Sequence, residues 1–240
     1  MKLLCLIPAY NEKGNLSTLV KRLSSKLKKF GIKHALLFII QGTDGSLDLI
    51  KKLKKDYPEI DFLYFPKPLG IGAAYKIGFH HVNKTITHIL TLDADLNHDP
   101  EALDDFFQTQ RRENPDIIIG SRFMEGGRFQ DKRVWKRIVS LAVNILTTKL
   151  LRFDVHDITS GYRLMKKNVI IKICKDLKET GYPSYMEFIL LAKKYGFKMK
   201  EVPINYVPRK WGKSKMKKVQ TSIDYLFFFT RLLLFSKNPD

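Results

Sequence analysis

Cysteine is almost absent. The 240 residues contain two, Cys5 and Cys174. They stand too far apart for a metal-type spacing, and so few thiols argue for a reduced compartment rather than a disulfide scaffold. Long hydrophobic runs are missing too: no stretch reaches the ~18 apolar residues that suggest a membrane-spanning helix. The first residues enter an apolar segment without a signal-peptide cleavage pattern, which predicts a cytoplasmic location. The six histidines show no metal spacing, and the neighbours His80 and His81 cannot share one helix face. No Ser/His/Asp or Cys/His arrangement stands out, nor does any internal repeat. Acidic residues are scarce beside basic ones, 24 against 43, for a net charge of +19. That excess favours polyanionic partners, whether nucleic acid, anionic lipid or phosphorylated substrates. A nucleic-acid module would gather its charge with aromatics on one groove face. Here the lysines are scattered and no such motif occurs, so no nucleic-acid partner is expected.

What is present describes an ordered α/β protein. Hydrophobic content is 44% and charged content 28%, a globular balance, and the length suits one large domain with a modest appendage. Apolar runs near 2–8, 35–40, 62–65, 87–92 and 116–120 read as strands. Helical patterns near 16–30, 47–57, 70–82 and 100–113 alternate with them. This alternation predicts a doubly wound, mostly parallel sheet with helices on both faces. Ligands bind at the carboxyl ends of such strands, which selects the loops at 8–12, 41–46, 93–97 and 120–122. The second half is less regular. It offers an apolar helix at 134–151, a polar loop at 157–163, a helix at 186–195 and a strand at 199–207. A basic segment follows with Arg209, Lys210, Lys213, Lys215, Lys217 and Lys218. The last apolar stretch, 223–235, contains Asp224 and Arg231 and is too short to cross a bilayer upright. It either packs on the core or lies in the interface of an anionic membrane. We read 1–218 as the main domain and 219–240 as this helical appendage.

The sharpest motif is Asp93-Ala94-Asp95, directly after an apolar strand. Alternate residues of extended chain point to one side, so both carboxylates can converge on a hard divalent ion that also holds phosphates. Asn97 could add a neutral oxygen. At the end of the first strand, Pro8, Tyr10 and Glu12 could hold a base and a ribose, although Asn11 also suits a helix cap. Gly70-Ile71-Gly72-Ala73-Ala74-Tyr75 nearly matches a dinucleotide fingerprint, but Tyr75 stands where the third glycine belongs.

Taken in order, the segments 7–12, 69–72, 93–101, 120–122, 157–163, 201–204 and 209–215 resemble dolichyl-phosphate mannose synthases and related polyprenyl-phosphate sugar transferases. These are family 2 glycosyltransferases, and the resemblance, covering nearly the whole chain, implies the GT-A fold. It implies a nucleotide-sugar donor of the GDP-mannose or UDP-glucose type and a polyprenyl or dolichyl phosphate acceptor. It also implies Mg²⁺ or Mn²⁺, peripheral attachment to an anionic membrane surface on its cytoplasmic face, and room for a membrane-anchoring partner. By the same resemblance Pro8, Tyr10 and Glu12 belong to the nucleotide, and Ala94 lies beside it. Asp93, Asp95 and Asn97 belong to the metal. Asp95, Arg122, Arg209 and Lys215 become the catalytic group, with the three cations on phosphates or sugar. One stretch departs from the family. Two adjacent aspartates before Gly-Ser are usual, whereas this chain reads Gln41-Gly42-Thr43-Asp44-Gly45-Ser46. Either Asp44 or Gln41 then faces the base.

The implied reaction is an inverting displacement by an acceptor phosphate oxygen. A phosphate monoester, with a second pKa near ~6, is largely ionised at neutral pH, so no strong general base is required. A hydroxyl acceptor, on a polysaccharide or protein, would need one, and Asp157 or Glu187 would have to serve.

Overall fold

The computed structural model describes residues 1–130, 134–150, 154–209, 211–212 and 218–236. The elements follow the chain as β1 (Lys2–Tyr10), α1 (Lys13–Lys29), β2 (Lys33–Gln41), α2 (Ser46–Asp56), β3 (Ile60–Phe65), α3 (Ile71–His80) and β4 (His88–Thr91). A short 3-10 turn (Pro100–Ala102) leads into α4 (Leu103–Glu113), followed by β5 (Ile117–Ser121), β6 (Arg128–Phe129) and α5 (Val134–Leu150). The chain then forms β7 (Arg163–Lys166), α6 (Lys167–Ile173), α7 (Ser184–Lys194), β8 (Met199–Pro203), β9 (Asn205–Tyr206) and α8 (Lys218–Ser236).

Seven strands form one sheet in the order β3-β2-β1-β4-β7-β5-β8, and β6 pairs with β9 in a small second sheet. All neighbours in the large sheet are parallel except β7, which runs antiparallel between β4 and β5. The α/β class and the mostly parallel sheet expected from the sequence are thus observed. β7 and α6 were not foreseen. β7 is four residues long and two of them are Arg163 and Lys166, so it carries no apolar run to betray a central strand.

Strand alternation divides the core in two. Leu3, Cys5, Ile7 and Ala9 of β1 face α1 and α4, together with Leu36, Phe38 and Ile40 of β2. Leu4, Leu6, Leu37 and Ile39 face the side of α3, α6 and α7, where Phe228 of α8 also packs. Burial on both faces makes β1 and β2 continuous apolar runs, as expected of parallel strands under helices.

Chain order runs outward from β1 to β3 and then returns to β4 on the other side of β1. A crevice therefore opens between the carboxyl ends of β1 and β4, the switch point where α/β sheets bind ligands.

α3 lies unusually close to the sheet at Gly78. A Cβ there would stand 2.2 Å from Leu6 Cδ1 and 2.6 Å from Cδ2. Helix propensity alone would make Gly78→Ala stabilising by about 1 kcal/mol. Overpacking of a filled core costs about 1–3 kcal/mol and should win. Urea denaturation should show net destabilisation; a stabilised variant would mean that α3 can lift off β1.

Candidate active site

β1 and β4 deliver the site. β4 ends at Thr91, so alternation along a strand does not bring the two aspartates together. A turn does. Leu96 adopts φ 62°, and the Asn97 N–H reaches back to Asp95 Oδ1 at 3.0 Å. Ala94 is buried between the two carboxylates. A cavity of about 340 Å³ opens above them, lined among others by Pro8, Tyr10, Glu12, Gln41, Asp93, Ala94, Asp95 and Arg209. That volume suits a small-molecule site.

The electrostatics centre on the acidic pair. Burial pushes the Asp93 and Asp95 carboxyls above the usual carboxylate range, and the Asp93 charge pushes Asp95 further, while Arg209 pulls both down. Asp93 Oδ1 accepts from the Tyr185 hydroxyl at 3.2 Å and faces the Tyr75 hydroxyl at 3.4 Å. Its own N–H donates to His98 Nδ1 at 3.2 Å. That ring nitrogen must be unprotonated, in keeping with a buried His98 whose pKa falls to about 4 as desolvation disfavours the cation. Arg209 Nη2 donates to Asp95 Oδ2 at 2.5 Å and Nη1 to Glu12 Oε1 at 3.3 Å. The guanidinium thus holds the carboxylates as a cation would.

Arg209 is itself held by the residue expected as a metal ligand. Asn97 Nδ2 donates to the Val207 carbonyl, and Asn97 Oδ1 accepts from the Tyr206 hydroxyl at 3.0 Å. The Val207 N–H returns to the Asn97 carbonyl at 3.2 Å. Asn97 therefore staples the aspartate turn to the segment ending in Arg209, and its amide oxygen is not turned to the cavity. Among the described residues no three of His, Cys, Asp and Glu form a metal cage. Two carboxylates without a cage suit an ion that completes its shell with substrate phosphates.

Other expected site residues fall elsewhere. Arg122 is buried in a bidentate pair with Asp157, Nε to Oδ2 at 2.7 Å and Nη2 to Oδ1 at 2.8 Å. Its guanidinium also lies over the Phe129 and Tyr206 rings. Burial alone would raise the Asp157 pKa, but the Arg122 charge and hydrogen bonds hold it below the usual carboxylate value. Neither residue lines the cavity. Glu201 fixes this loop by accepting from the His156 and Asp157 N–H groups at 2.8 and 2.9 Å. Asp44 caps two backbone N–H groups, those of Lys13 and Ser46, at 3.0 and 2.9 Å. Gln41 instead reaches the cavity, its Oε1 taken by the Leu69 N–H at 2.7 Å, which leaves its NH₂ to present. Lys215 lies outside the described residues, as do Lys210, Lys213 and Lys217. Glu187 is pushed up to about 7 by burial, against the pull of the Lys178 N–H. It accepts from the Lys178 and Glu179 N–H groups at 3.0 and 2.8 Å.

Reasoning from sequence missed Tyr182, Tyr185, Gln220, Thr221 and Asp224, which form one cavity wall. The glycine loop lines the cavity with Gly70 and Ile71, and its Gly72 and Ala73 N–H groups both donate to the Thr180 carbonyl, which docks segment 179–184 onto α3. Tyr75, the residue that spoils the fingerprint, reaches Asp93; a polar aromatic at that position was the available signal.

A crevice at this switch point, floored by paired aspartates, suits a ligand whose phosphates are held through a divalent ion. The chain belongs to glycosyl transferase family 2, whose model matches residues 5–174. It is similar to the polyprenol monophosphomannose synthase of Mycolicibacterium smegmatis, 32% identical over 89% of this chain and 80% of that protein. It is also similar to the undecaprenyl-phosphate mannosyltransferase of Micrococcus luteus, 28% identical over 90% of this chain and 88% of the relative. Among solved structures, glucosyl-3-phosphoglycerate synthase of Mycobacterium tuberculosis, in complex with Mn²⁺, UDP and phosphoglyceric acid, superposes with a TM-score of 0.69. That match covers all of this chain and 80% of the other at 13% identity, a likeness of fold.

The buried Arg122–Asp157 pair should be structural. Asp157→Asn strands the guanidinium, and breaking such a pair costs about 3–5 kcal/mol. The folded Asp157 pKa lies below its unfolded value near 3.8. Its contribution is therefore full above that value and is lost as pH falls through the folded pKa. Wild type should converge on the variant in chemical-denaturation stability as pH drops below 4; a gap that persists unchanged to pH 2 would contradict the pairing.

Proposed function

We propose that this enzyme transfers a hexose, mannose or glucose, from a nucleotide-sugar to a polyprenyl or dolichyl phosphate by inverting displacement at a membrane surface. The observation that carries this reading is the Asp93–Asp95 pair lining the cavity at the β1/β4 crevice, with Arg209 on Asp95 and Glu12. A pair of that kind beside a cation suits a metal-bound diphosphate leaving group. The names of the relatives, which act on polyprenol and undecaprenyl phosphates, support the acceptor class.

In this reading Asp93 and Asp95 hold Mg²⁺ or Mn²⁺, which when bound supplies charge neutralisation to the leaving diphosphate. Pro8 and Tyr10 flank the nucleoside, and the Gln41 NH₂ donates to a carbonyl on the base. Asp44 supports that loop from behind. Arg209 moves from the carboxylates to the phosphates, where its fork can make two parallel hydrogen bonds, and Lys215 adds charge. Arg122 acts through its loop rather than on the donor. An acceptor phosphate oxygen forms the new bond to the anomeric carbon, the bond to the diphosphate oxygen breaks, and the nucleoside diphosphate leaves. Neither carboxylate expected as the base for a hydroxyl acceptor, Asp157 or Glu187, lines the cavity.

The surface supports a lipid substrate. Among the described residues no helix is long and apolar enough to cross a membrane. Yet Ile138, Leu141 and Ile145 of α5 are exposed, as are Ile223, Leu226 and Phe227 of α8, and Trp211. Such helices, with a strongly basic chain, suit an anionic interface.

Incubation with radiolabelled GDP-mannose or UDP-glucose and polyprenyl phosphate should carry label into the organic phase. Label confined to the aqueous phase with every such donor would refute the assignment. Asp93→Asn, Asp95→Asn or EDTA should each cut transfer a hundred-fold or more, since the lost clamp is worth roughly 3 kcal/mol or more. Full activity under any of these would remove the metal from the mechanism. Binding to anionic vesicles should weaken with salt, because surface attraction is screened within about 8–10 Å. It should also weaken in Leu226→Ser/Phe227→Ser. Salt-independent binding by that variant would count against interfacial attachment.

A further inference from the structure

The cavity has a wall that the donor roles above leave unused. α8 contributes Gln220, Thr221 and Asp224 to it, beside Gly181 and Tyr182. Gln220 Nε2 donates to Asp224 Oδ1 at 2.8 Å, an i to i+4 pair that fixes both side chains on one stripe of the helix. Thr221 is buried beside them. The other oxygen, Asp224 Oδ2, points at Gly181, where a Cβ would come within 3.1 Å. The missing side chain keeps that carboxylate reachable from the cavity.

The wall is anchored from several sides. Arg231, further along α8, pairs with Glu179, and Glu187 holds the Lys178 and Glu179 N–H groups. Gly72 and Ala73 of α3 hold the Thr180 carbonyl. Both charges that interrupt the apolar helix, Asp224 and Arg231, are thus turned toward segment 179–181. The exposed apolar residues Ile223, Leu226 and Phe227 occupy an adjacent stripe of the same helix.

A carboxylate, a carboxamide and a hydroxyl fixed on one face are hydrogen-bonding groups matched to a polyol, able to accept from and donate to neighbouring hydroxyls. Position selects which part of the donor meets them. On the transferase reading the diphosphate lies over Asp93 and Asp95 and the nucleoside extends toward Tyr10 and Gln41, which leaves the hexose hydroxyls the remaining wall of the cavity, that of α8. We propose that Gln220, Thr221 and Asp224 form the hexose subsite, so that the helix meeting the lipid surface also reads the sugar. This rests on the transferase reading above.

The test compares nucleotide-sugar with nucleoside diphosphate by calorimetry in Mn²⁺, using GDP-mannose with GDP and UDP-glucose with UDP. The full chain is used as wild type, Asp224→Asn and Gln220→Ala. Wild type should bind one nucleotide-sugar more tightly than its nucleoside diphosphate. Each variant should lose about tenfold in nucleotide-sugar affinity while nucleoside diphosphate affinity stays within twofold, which also reports an intact fold. Equal loss for both ligands at unchanged melting temperature would assign the wall to the nucleoside and overturn the proposal. Unchanged affinities for both ligands in both variants would overturn it equally. One arm needs no destabilising substitution: the Thr221 methyl resonance, assigned by its loss in Thr221→Ser, should shift with nucleotide-sugar and not with nucleoside diphosphate. A shift with both would reject the subsite. Since these measurements contain no acceptor, they stand apart from the organic-phase assay; failure of lipid transfer with intact sugar discrimination would sink the acceptor assignment alone.

Discussion

Two carboxylates buried side by side at the end of a sheet repel each other, and at an effective dielectric of about 20 a like-charge contact near 4 Å costs about 4 kcal/mol. Asp95 is buried and Asp93 partly so, the Asp93 charge raises the Asp95 pKa, and Glu12 adds a third negative group at the same opening. The fold can keep this charge only by supplying a cation. Arg209 does so, bridging Asp95 and Glu12, and much of the surrounding architecture serves to deliver it.

The delivery can be followed residue by residue. Asn97, in the aspartate turn, grips the Tyr206–Val207 segment through both its side-chain amide and its backbone. That segment ends two residues before Arg209. Tyr206 in turn lies against the Arg122 guanidinium, which Asp157 fixes from the other side, and Glu201 fixes the Asp157 loop. Motifs that read as a row of ligand contacts therefore include a second group of residues. Arg122, Asp157 and Glu201 are linked in a row and meet Asn97 through Tyr206 rather than lining the cavity, and their product is the position of one arginine. Buried cations held by bidentate pairs and rings are expensive to disturb, which makes such a scaffold stiff where the site requires it.

How much of this was legible follows from the kind of signal each part leaves. The first five parallel strands were readable because burial on both faces writes continuous apolar runs. The aspartate pair and Glu12 were readable because acidic residues at a strand's carboxyl end are conspicuous. β7 was not, since a strand of four residues with Arg163 and Lys166 has no pattern to find. Asp44 and Gln41 could not be told apart in sequence; only the backbone shows that Asp44 spends its oxygens on the Lys13 and Ser46 N–H groups. α8 had two readings, core or interface; Phe228 is buried as core packing requires, while Leu226 and Phe227 are exposed. A linear hydropathy pattern weakens when a helix is apolar on two sides for different reasons.

Charge balance also explains why a single arginine can serve both states of the proposed cycle. Without donor, the guanidinium neutralises part of a carboxylate cluster. A nucleoside diphosphate with a divalent ion brings opposite charges in nearly equal amount, so their joint arrival leaves the local sum almost unchanged. Asp93 and Asp95 would hold the ion, and the phosphates would offer the guanidinium a new partner. Arg209 then need not be discharged or sent into solvent, only moved between two sets of oxygens. As the bond to the sugar breaks, negative charge grows on the diphosphate, and a cation already in contact stabilises that change more than the ground state. In the proposed cycle the acceptor phosphate arrives ionised, so the task left to the site is to manage charge on oxygen. A chain rich in cations, with Glu12, Asp93 and Asp95 at one opening, suits that task.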